Sequence, residues 1–146
     1  MTAAFLESGR YCACLNLRKA ARAVTSFYDE TLRPTRLRAT QFALLSITRV
    51  LGSVTVSQLA DAAVMDRTTL SRNLKPLEKR GLVRVRAGTD RRVREVTITP
   101  RGQELWTAAI PLWSAAQRRI TEGLGETRLR RLVTELDATV AVVRTP

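Results

Sequence analysis

Residues 65–83 read MDRTTLSRNLKPLEKRGLV, and this stretch has two chemically different sides. Leu70, Leu74 and Leu77 follow one another at spacings of four and three residues, which is the apolar stripe of a helix that buries one face. The other faces carry cationic and hydroxyl side chains, namely Arg67, Thr68, Ser71, Arg72, Lys75 and Lys79. The stretch therefore predicts a short helix that is anchored by its leucines and presents a basic surface outward.

Cap and breaker residues set the limits of this helix. Asp66 is a good N-cap, and Gly81 tolerates the left-handed conformation that follows many helices. Pro76 removes the hydrogen bond back to Arg72. The helix is therefore expected either to kink in its last turn or to be regular only as far as Lys75.

A shorter helix is predicted before this one and a β-hairpin after it. Thr55 with Gln58 three residues later is a capping-box pattern. From residue 82 to residue 99 apolar and polar residues alternate with a period of two, and Gly-Thr-Asp at 88–90 supplies turn chemistry. The hairpin tip is expected at about 86–94, and it carries Arg86, Arg91, Arg92 and Arg94.

Helical periodicity also marks both ends of the chain. It covers residues 11–32 and 39–51 before the central stretch, and 101–122 and 126–143 after it, with a break expected at the glycines in between. Pro111 is expected to interrupt and bend the third of these helices.

These patterns predict a mostly α fold with a small β-hairpin wing, an α+β winged helix-turn-helix. One domain of 146 residues is expected, with the winged helix-turn-helix at 37–100 and flanking helices at 1–34 and 101–146. The flanking helices carry more apolar surface than a winged domain of about 65 residues can cover, so we expect them to form a dimer interface. The alternative is that they fold back onto their own domain.

Composition restricts the class of partner. Lys and Arg total 25 against 13 Asp and Glu, which gives a net charge of +12 and a sequence pI of about 11.4. Such a chain favours polyanionic partners. There is no histidine, the two cysteines cannot close a zinc site alone, and no glycine-rich phosphate loop is visible. Hence no enzyme, metal or cofactor is expected.

Double-stranded DNA is the polyanion that this arrangement fits. A major groove admits one helix, whose first turns reach the base edges, and a basic wing fits the adjacent minor groove. The predicted contacts are Arg67, Thr68, Thr69, Ser71, Arg72 and Lys75 on the helix, with the four wing arginines. Two rival binding modes are an architectural protein that coats DNA by charge alone and a module that binds acidic protein.

Three segments resemble the multiple-antibiotic-resistance regulator (MarR) family of bacterial transcription factors. They are LRATQFALL (37–45), TVSQLADAAVMDRTTLSRNLKPLEKRGLV (55–83) and DRRVREVTITPRGQEL (90–105), and the last contains the wing signature Asp90, Arg92, Thr99 and Gly102. The resemblance implies a homodimer on a pseudo-palindromic DNA site, acting as a repressor, with an effector that changes the separation of the two winged domains.

The same resemblance implies a small aromatic ligand held between the dimerisation helices and the winged domain. The candidate lining residues are Arg18, Phe42, Trp106 and Trp113. Ordinary packing of the two tryptophans in the core or the interface is the alternative.

A redox effector is the second possibility. Cys14 stands where the organic-hydroperoxide-sensing branch of the family keeps its reactive cysteine, and Tyr28 matches a tyrosine that bonds the thiolate, whereas Arg18 and Ala39 replace two further tyrosines. Arg18 lies one turn after Cys14, where its charge favours a thiolate. Cys12 is a resolving thiol or a bystander, and cysteines two apart in a helix point to different faces and should not pair. Alternatively, both are buried small hydrophobes.

The expected location is the cytoplasm. The apolar stretches are shorter than the ~20 residues of a membrane span, and the N-terminus lacks the pattern of a signal peptide. Two cysteines suit a reducing compartment.

Overall fold

The computed structural model describes residues 9–144 and has the predicted α+β architecture. In chain order the elements of the described part are α1 (Ala13–Leu32), a 3-10 turn (Arg33–Thr35), α2 (Ala39–Leu51), β1 (Val54–Thr55), α3 (Val56–Ala62), α4 (Arg67–Lys79), β2 (Val83–Ala87), β3 (Arg94–Ile98), α5 (Pro100–Leu124) and α6 (Glu126–Arg144).

Both caps predicted for the central helices are present. The Gln58 backbone N–H donates to Thr55 Oγ1 at 3.1 Å, and the Thr55 N–H donates to Gln58 Oε1 at 3.0 Å. Helix α4 continues through Pro76 to Lys79, so the expectation of a helix that is regular only to Lys75 is wrong. Gly81 follows with φ 68°, as expected of a residue that ends a helix.

The sheet is antiparallel with strand order β1-β3-β2. In the hairpin Val83 pairs with Ile98 and Val85 with Val96, which confirms the predicted alternation. Arg86 and Arg94 lie on the strands, so the turn is confined to 88–93 and is shorter than predicted. The sequence did not predict β1, because two residues are too few to show a period.

The structure divides into two compact units, one ending at Ile110 and one beginning at Pro111. In the first unit α4 contacts α2, α3 and β2, and its leucine stripe is buried, with Leu70 and Leu77 at 0% exposure and Leu74 at 4%. The stripe therefore anchors α4, and the opposite side of the helix is left to solvent.

In the second unit the helices leave apolar surface open. None of the residues of α6 is buried, and Leu132, Val133 and Leu136 are exposed. Pro111 lies inside a continuous α5, which corrects the expected interruption. The break falls at Gly125, whose φ is 80°, whereas Gly123 still belongs to the helix.

Candidate nucleic-acid interface

The cap of α4 fixes where the basic helix begins. Asp66 accepts a hydrogen bond from the Thr69 backbone N–H at 2.8 Å and another from Thr69 Oγ1 at 2.6 Å. The Thr69 hydroxyl, followed by the Thr69 backbone N–H, lowers the pKa of Asp66, so this carboxylate is ionised at neutral pH. The hydroxyl proton of Thr69 is thus used within the cap, and Thr69 is the least exposed of the helix residues predicted to contact DNA.

The remaining predicted residues of α4 lie together on its outer side. Arg67, Thr68, Ser71, Arg72 and Lys75 are exposed and line one surface cleft of about 420 Å³. None of these side chains forms an ion pair in the described part of the chain. The cleft therefore presents hydroxyls among three uncompensated positive charges, which is the chemistry that phosphate oxygens and base acceptors require.

Two further clefts join α4 to the wing. Arg67 lines a cleft of about 250 Å³ together with Arg92 and Arg94 of the hairpin. Arg94 also borders a smaller cleft of about 140 Å³ beside Ser71 and Lys75. The structure thus brings the helix and two wing arginines into one continuous basic surface. Arg86 and Arg91 are exposed on the hairpin but line none of these three clefts.

Ser57 belongs to this surface but was not predicted. Its hydroxyl oxygen accepts a hydrogen bond from Arg67 Nη2 at 2.7 Å, so α3 orients an arginine of α4. The only signal in the sequence was its position two residues after the N-cap Thr55, which does not reveal a contact ten residues away.

The wing signature builds the turn and the base of the wing. Asp90 Oδ1 accepts from the Arg92 backbone N–H at 2.9 Å, and the Gly88 N–H donates to the Val93 carbonyl at 2.8 Å. These bonds turn the chain while the Arg91 and Arg92 side chains stay exposed.

Thr99 and Gly102 join the base of the wing to α5. Thr99 Oγ1 donates to the Gly81 carbonyl at 2.6 Å and accepts from the Gly102 N–H at 3.0 Å. A Cβ on Gly102 would overlap the Leu82 carbonyl oxygen and lie 2.9 Å from Ile98 Cγ1. Only glycine fits there, which explains its place in the signature.

Two of the four predicted effector residues meet. The rings of Phe42 and Trp106 are nearly parallel, with centroids 6.4 Å apart, and Trp106 Nε1 donates to Ser46 Oγ at 2.8 Å. The Arg49 guanidinium carbon lies 4.2 Å from the Trp106 ring centroid, a cation–π contact that the sequence did not predict. Of the two other candidates, Arg18 is exposed on α1, and Trp113 belongs to the second unit.

The cysteines lie at the start of α1, and both are free and exposed, so they are not buried small hydrophobes in this chain. Cys12 is the N-cap and lies outside the helix, which corrects the assumption that both cysteines are helical. Tyr28 follows Cys14 by fourteen residues of one helix, about 21 Å along its axis, so a Tyr28 hydrogen bond to the same chain's Cys14 is ruled out. Burial raises the pKa of Tyr28, which keeps the phenol protonated.

Features of two other classes of function are absent from the described residues, 9–144. No group of three or more Cys, Asp or Glu side chains there could hold a metal ion. No helix in the same range combines the length and the apolar character that crossing a membrane requires.

The fold and the basic surface define a winged helix-turn-helix DNA-binding protein. A sequence model of the MarR family matches residues 37–93. The crystal structure of the Mycobacterium tuberculosis transcriptional regulator MosR in complex with DNA is 38% identical, with a TM-score of 0.81 over 92% of this chain and 99% of that one. The chain belongs to the MarR family, and it is a DNA-binding transcriptional regulator, not an enzyme.

Two further similar proteins are more distant. The structure of Bordetella bronchiseptica BpsR, solved to explain regulation of its DNA binding by 6-hydroxynicotinic acid, is 25% identical, with a TM-score of 0.78 over 88% of this chain and 92% of that one. The uncharacterized HTH-type transcriptional regulator YwoH of Bacillus subtilis is 27% identical over 88 residues, which is 60% of this chain and 64% of that protein.

Proposed function

We propose that this regulator is a homodimeric repressor that binds a pseudo-palindromic operator and is released by a small aromatic effector. The observation that carries the proposal is the continuous basic surface made by α4 and the wing. A dimer presents two such surfaces, and two recognition helices read half-sites about one helical turn apart, ~34–36 Å. Occupying a promoter in this way blocks transcription.

The apolar surface left open by one chain supports the dimer. Leu15 and Val24 on α1 are 47% and 45% exposed, and Leu132 and Val133 on α6 are 45% and 49% exposed. Apolar surface that terminal helices leave exposed is what an obligate interface covers. Sedimentation equilibrium should therefore give twice the chain mass of 16.3 kDa.

Footprinting distinguishes the operator proposal from its two rivals. At ~150 mM salt the protein should protect one promoter site with two half-sites, because specific contacts persist where charge-only binding fades. Continuous coverage of the fragment would indicate an architectural protein instead. Loss of all DNA binding at that salt concentration would favour a module for acidic proteins.

The Phe42–Trp106 cluster supports an aromatic effector. Phe42 is buried, so a planar acid could pack only against the half-buried Trp106 ring, while the Arg49 guanidinium, which forms no ion pair in the described residues, receives its carboxylate. 6-Hydroxynicotinate is a suitable probe, because an aromatic acid of this kind regulates BpsR. It should lower DNA affinity in the wild type, whereas its uncharged amide should have little effect, and Arg49→Gln should abolish the response.

The thiol alternative rests on the exposure of Cys14, with Arg18 one turn further along α1. Oxidation to a sulfenic acid would add bulk and polarity to α1. Cumene hydroperoxide should then release DNA from the wild type and from Cys12→Ser but not from Cys14→Ser. If oxidant has no effect on the wild type while the aromatic acid does, the cysteines are not the sensor.

A further inference from the structure

A further cavity, of about 480 Å³, lies where α1, the 3-10 turn and the start of α2 meet. It shares no residue with the three clefts of the basic surface or with the Phe42–Trp106 cluster. Its volume is within the range of small-molecule sites. Its lining is polar: three arginines and two carboxylates surround it, together with Ser26 and Leu37.

The charges of this cavity are not balanced. Arg33 Nη2 lies 3.2 Å from Glu30 Oε1, and Arg38 Nη1 lies 3.0 Å from Asp29 Oδ2. The third arginine, Arg36, is exposed and forms no ion pair in the described part of the chain. One positive charge is therefore left for a ligand to neutralise.

The backbone at Arg36 is held in an unusual conformation. Its φ is 55°, in the left-handed region that residues other than glycine seldom adopt. The Arg36 N–H donates to the Arg33 carbonyl at 2.9 Å, and Arg80 donates from Nη1 to the Arg36 carbonyl at 2.8 Å and from Nη2 to the Thr35 carbonyl at 3.3 Å. Backbone strain that surrounding contacts maintain is typical of binding and switch segments.

We propose that this cavity binds a small hydroxy acid with one carboxylate, of the sugar-acid type, and that Arg36 holds the carboxylate. The guanidinium offers two parallel N–H donors, which match a carboxylate in geometry and charge. The Ser26 hydroxyl and the exposed Glu30 carboxylate can accept hydrogen bonds from the ligand's hydroxyls. A single negative charge on the ligand matches the single uncompensated charge of the site.

The site is connected to the helix that faces DNA. Arg80 is the C-cap residue of α4, and its guanidinium holds the two carbonyls beside the strained residue. A ligand that repositions Arg36 therefore changes the hydrogen bonds through which Arg80 holds the end of α4. The effect of the ligand on DNA affinity rests on the proposed operator binding, whereas ligand binding itself does not.

Binding is tested by titrating the full-length protein with gluconate and recording backbone amide shifts by NMR. Sorbitol, which has the same carbon number and lacks the carboxylate, is the matched control. Gluconate alone should shift the amides of residues 35–38. Arg36→Asn, which suits a left-handed backbone, should weaken binding about tenfold or more, whereas Arg101→Ala, which removes the same charge elsewhere in this unit, should not. Equal shifts with sorbitol, equal binding by the Arg36 variant, or no shift at about 10 mM gluconate would each overturn the proposal.

The connection to α4 is tested separately by DNA affinity at constant ionic strength. Gluconate should change the affinity of the wild type about fivefold or more, and Arg80→Gln should lose this change even at a gluconate concentration that saturates its own amide titration. An unchanged wild-type affinity, despite amide shifts, would refute the connection. Failure of the protein to bind DNA without gluconate would instead count against the proposed function, because the amide titration contains no DNA.

Discussion

Replacing Gly102 by alanine should destabilise the winged domain by about 2–4 kcal/mol. The new methyl would overlap the Leu82 carbonyl oxygen and lie 2.9 Å from Ile98 Cγ1, so α5 must move away from the hairpin. Such overpacking costs about 1–3 kcal/mol. The shift also strains the hydrogen bonds of Thr99 to Gly81 and Gly102, each of which contributes about 1 kcal/mol.

The same helix contains a matched control. Gly123 lies inside α5, and a Cβ there would meet no atom within 4 Å. Gly123→Ala should therefore stabilise the protein by up to about 0.5–1 kcal/mol, because alanine loses less conformational entropy in a helix. The two glycine-to-alanine changes should have opposite signs.

Guanidinium chloride unfolding at a fixed protein concentration measures both changes, since the stability of the proposed dimer would depend on concentration. A Gly102→Ala protein as stable as the wild type would show that Leu82 and α5 do not approach as closely as described. Destabilisation of similar size by both variants would show that the effect does not come from the contact with Leu82.

Three further predictions concern the central helices. Arg72→Ala should weaken binding to the proposed operator by about 1–3 kcal/mol and relax the base preference there. Lys75→Ala should weaken binding to all DNA sequences alike and reduce the slope of log affinity against log salt concentration by about 1. If Arg72→Ala also weakened every sequence equally, Arg72 would not contact a base. Val64 has φ 52°, so Val64→Asn should raise the free energy of unfolding by about 1 kcal/mol, and a loss of stability would contradict the assigned strain. The lowered pKa of Asp66 stabilises the fold above the ordinary aspartate pKa of about 3.9, and this stabilisation disappears as pH falls through the lowered value. Asp66→Asn should therefore remove this pH-dependent stabilisation from acid unfolding curves. Identical acid unfolding curves for the variant and the wild type would contradict the prediction.

Local patterns predicted the fold well. The leucines of α4, the caps at Thr55 and Asp66, and the alternation of the hairpin each depend on neighbours close in sequence. Prolines were harder to place. Both helices continue through their prolines, so the expected end of the regular helix at Lys75 and the expected interruption at Pro111 are wrong. At Pro76 the burial of Leu74 and Leu77 on either side offsets one missing hydrogen bond.

The charges of the candidate interface were predictable, but their partners were not. Residue type and helical face identified Arg67 and Arg72, whereas the bond from Arg67 to Ser57 and the position of Arg94 between two clefts depend on tertiary packing. The same holds for Phe42 and Trp106, which are 64 positions apart in the chain and stack in the fold.

The hydrogen bond between Arg67 and Ser57 has a consequence for the effect of substitutions. Freezing a long side chain on binding costs about 0.5–1.5 kcal/mol, and here much of that freedom is already lost when the protein folds. The orientation of an arginine that we propose to face DNA is therefore set by a residue on a different helix. A substitution at position 57 can therefore change how Arg67 is presented while every residue on the outer side of α4 stays the same.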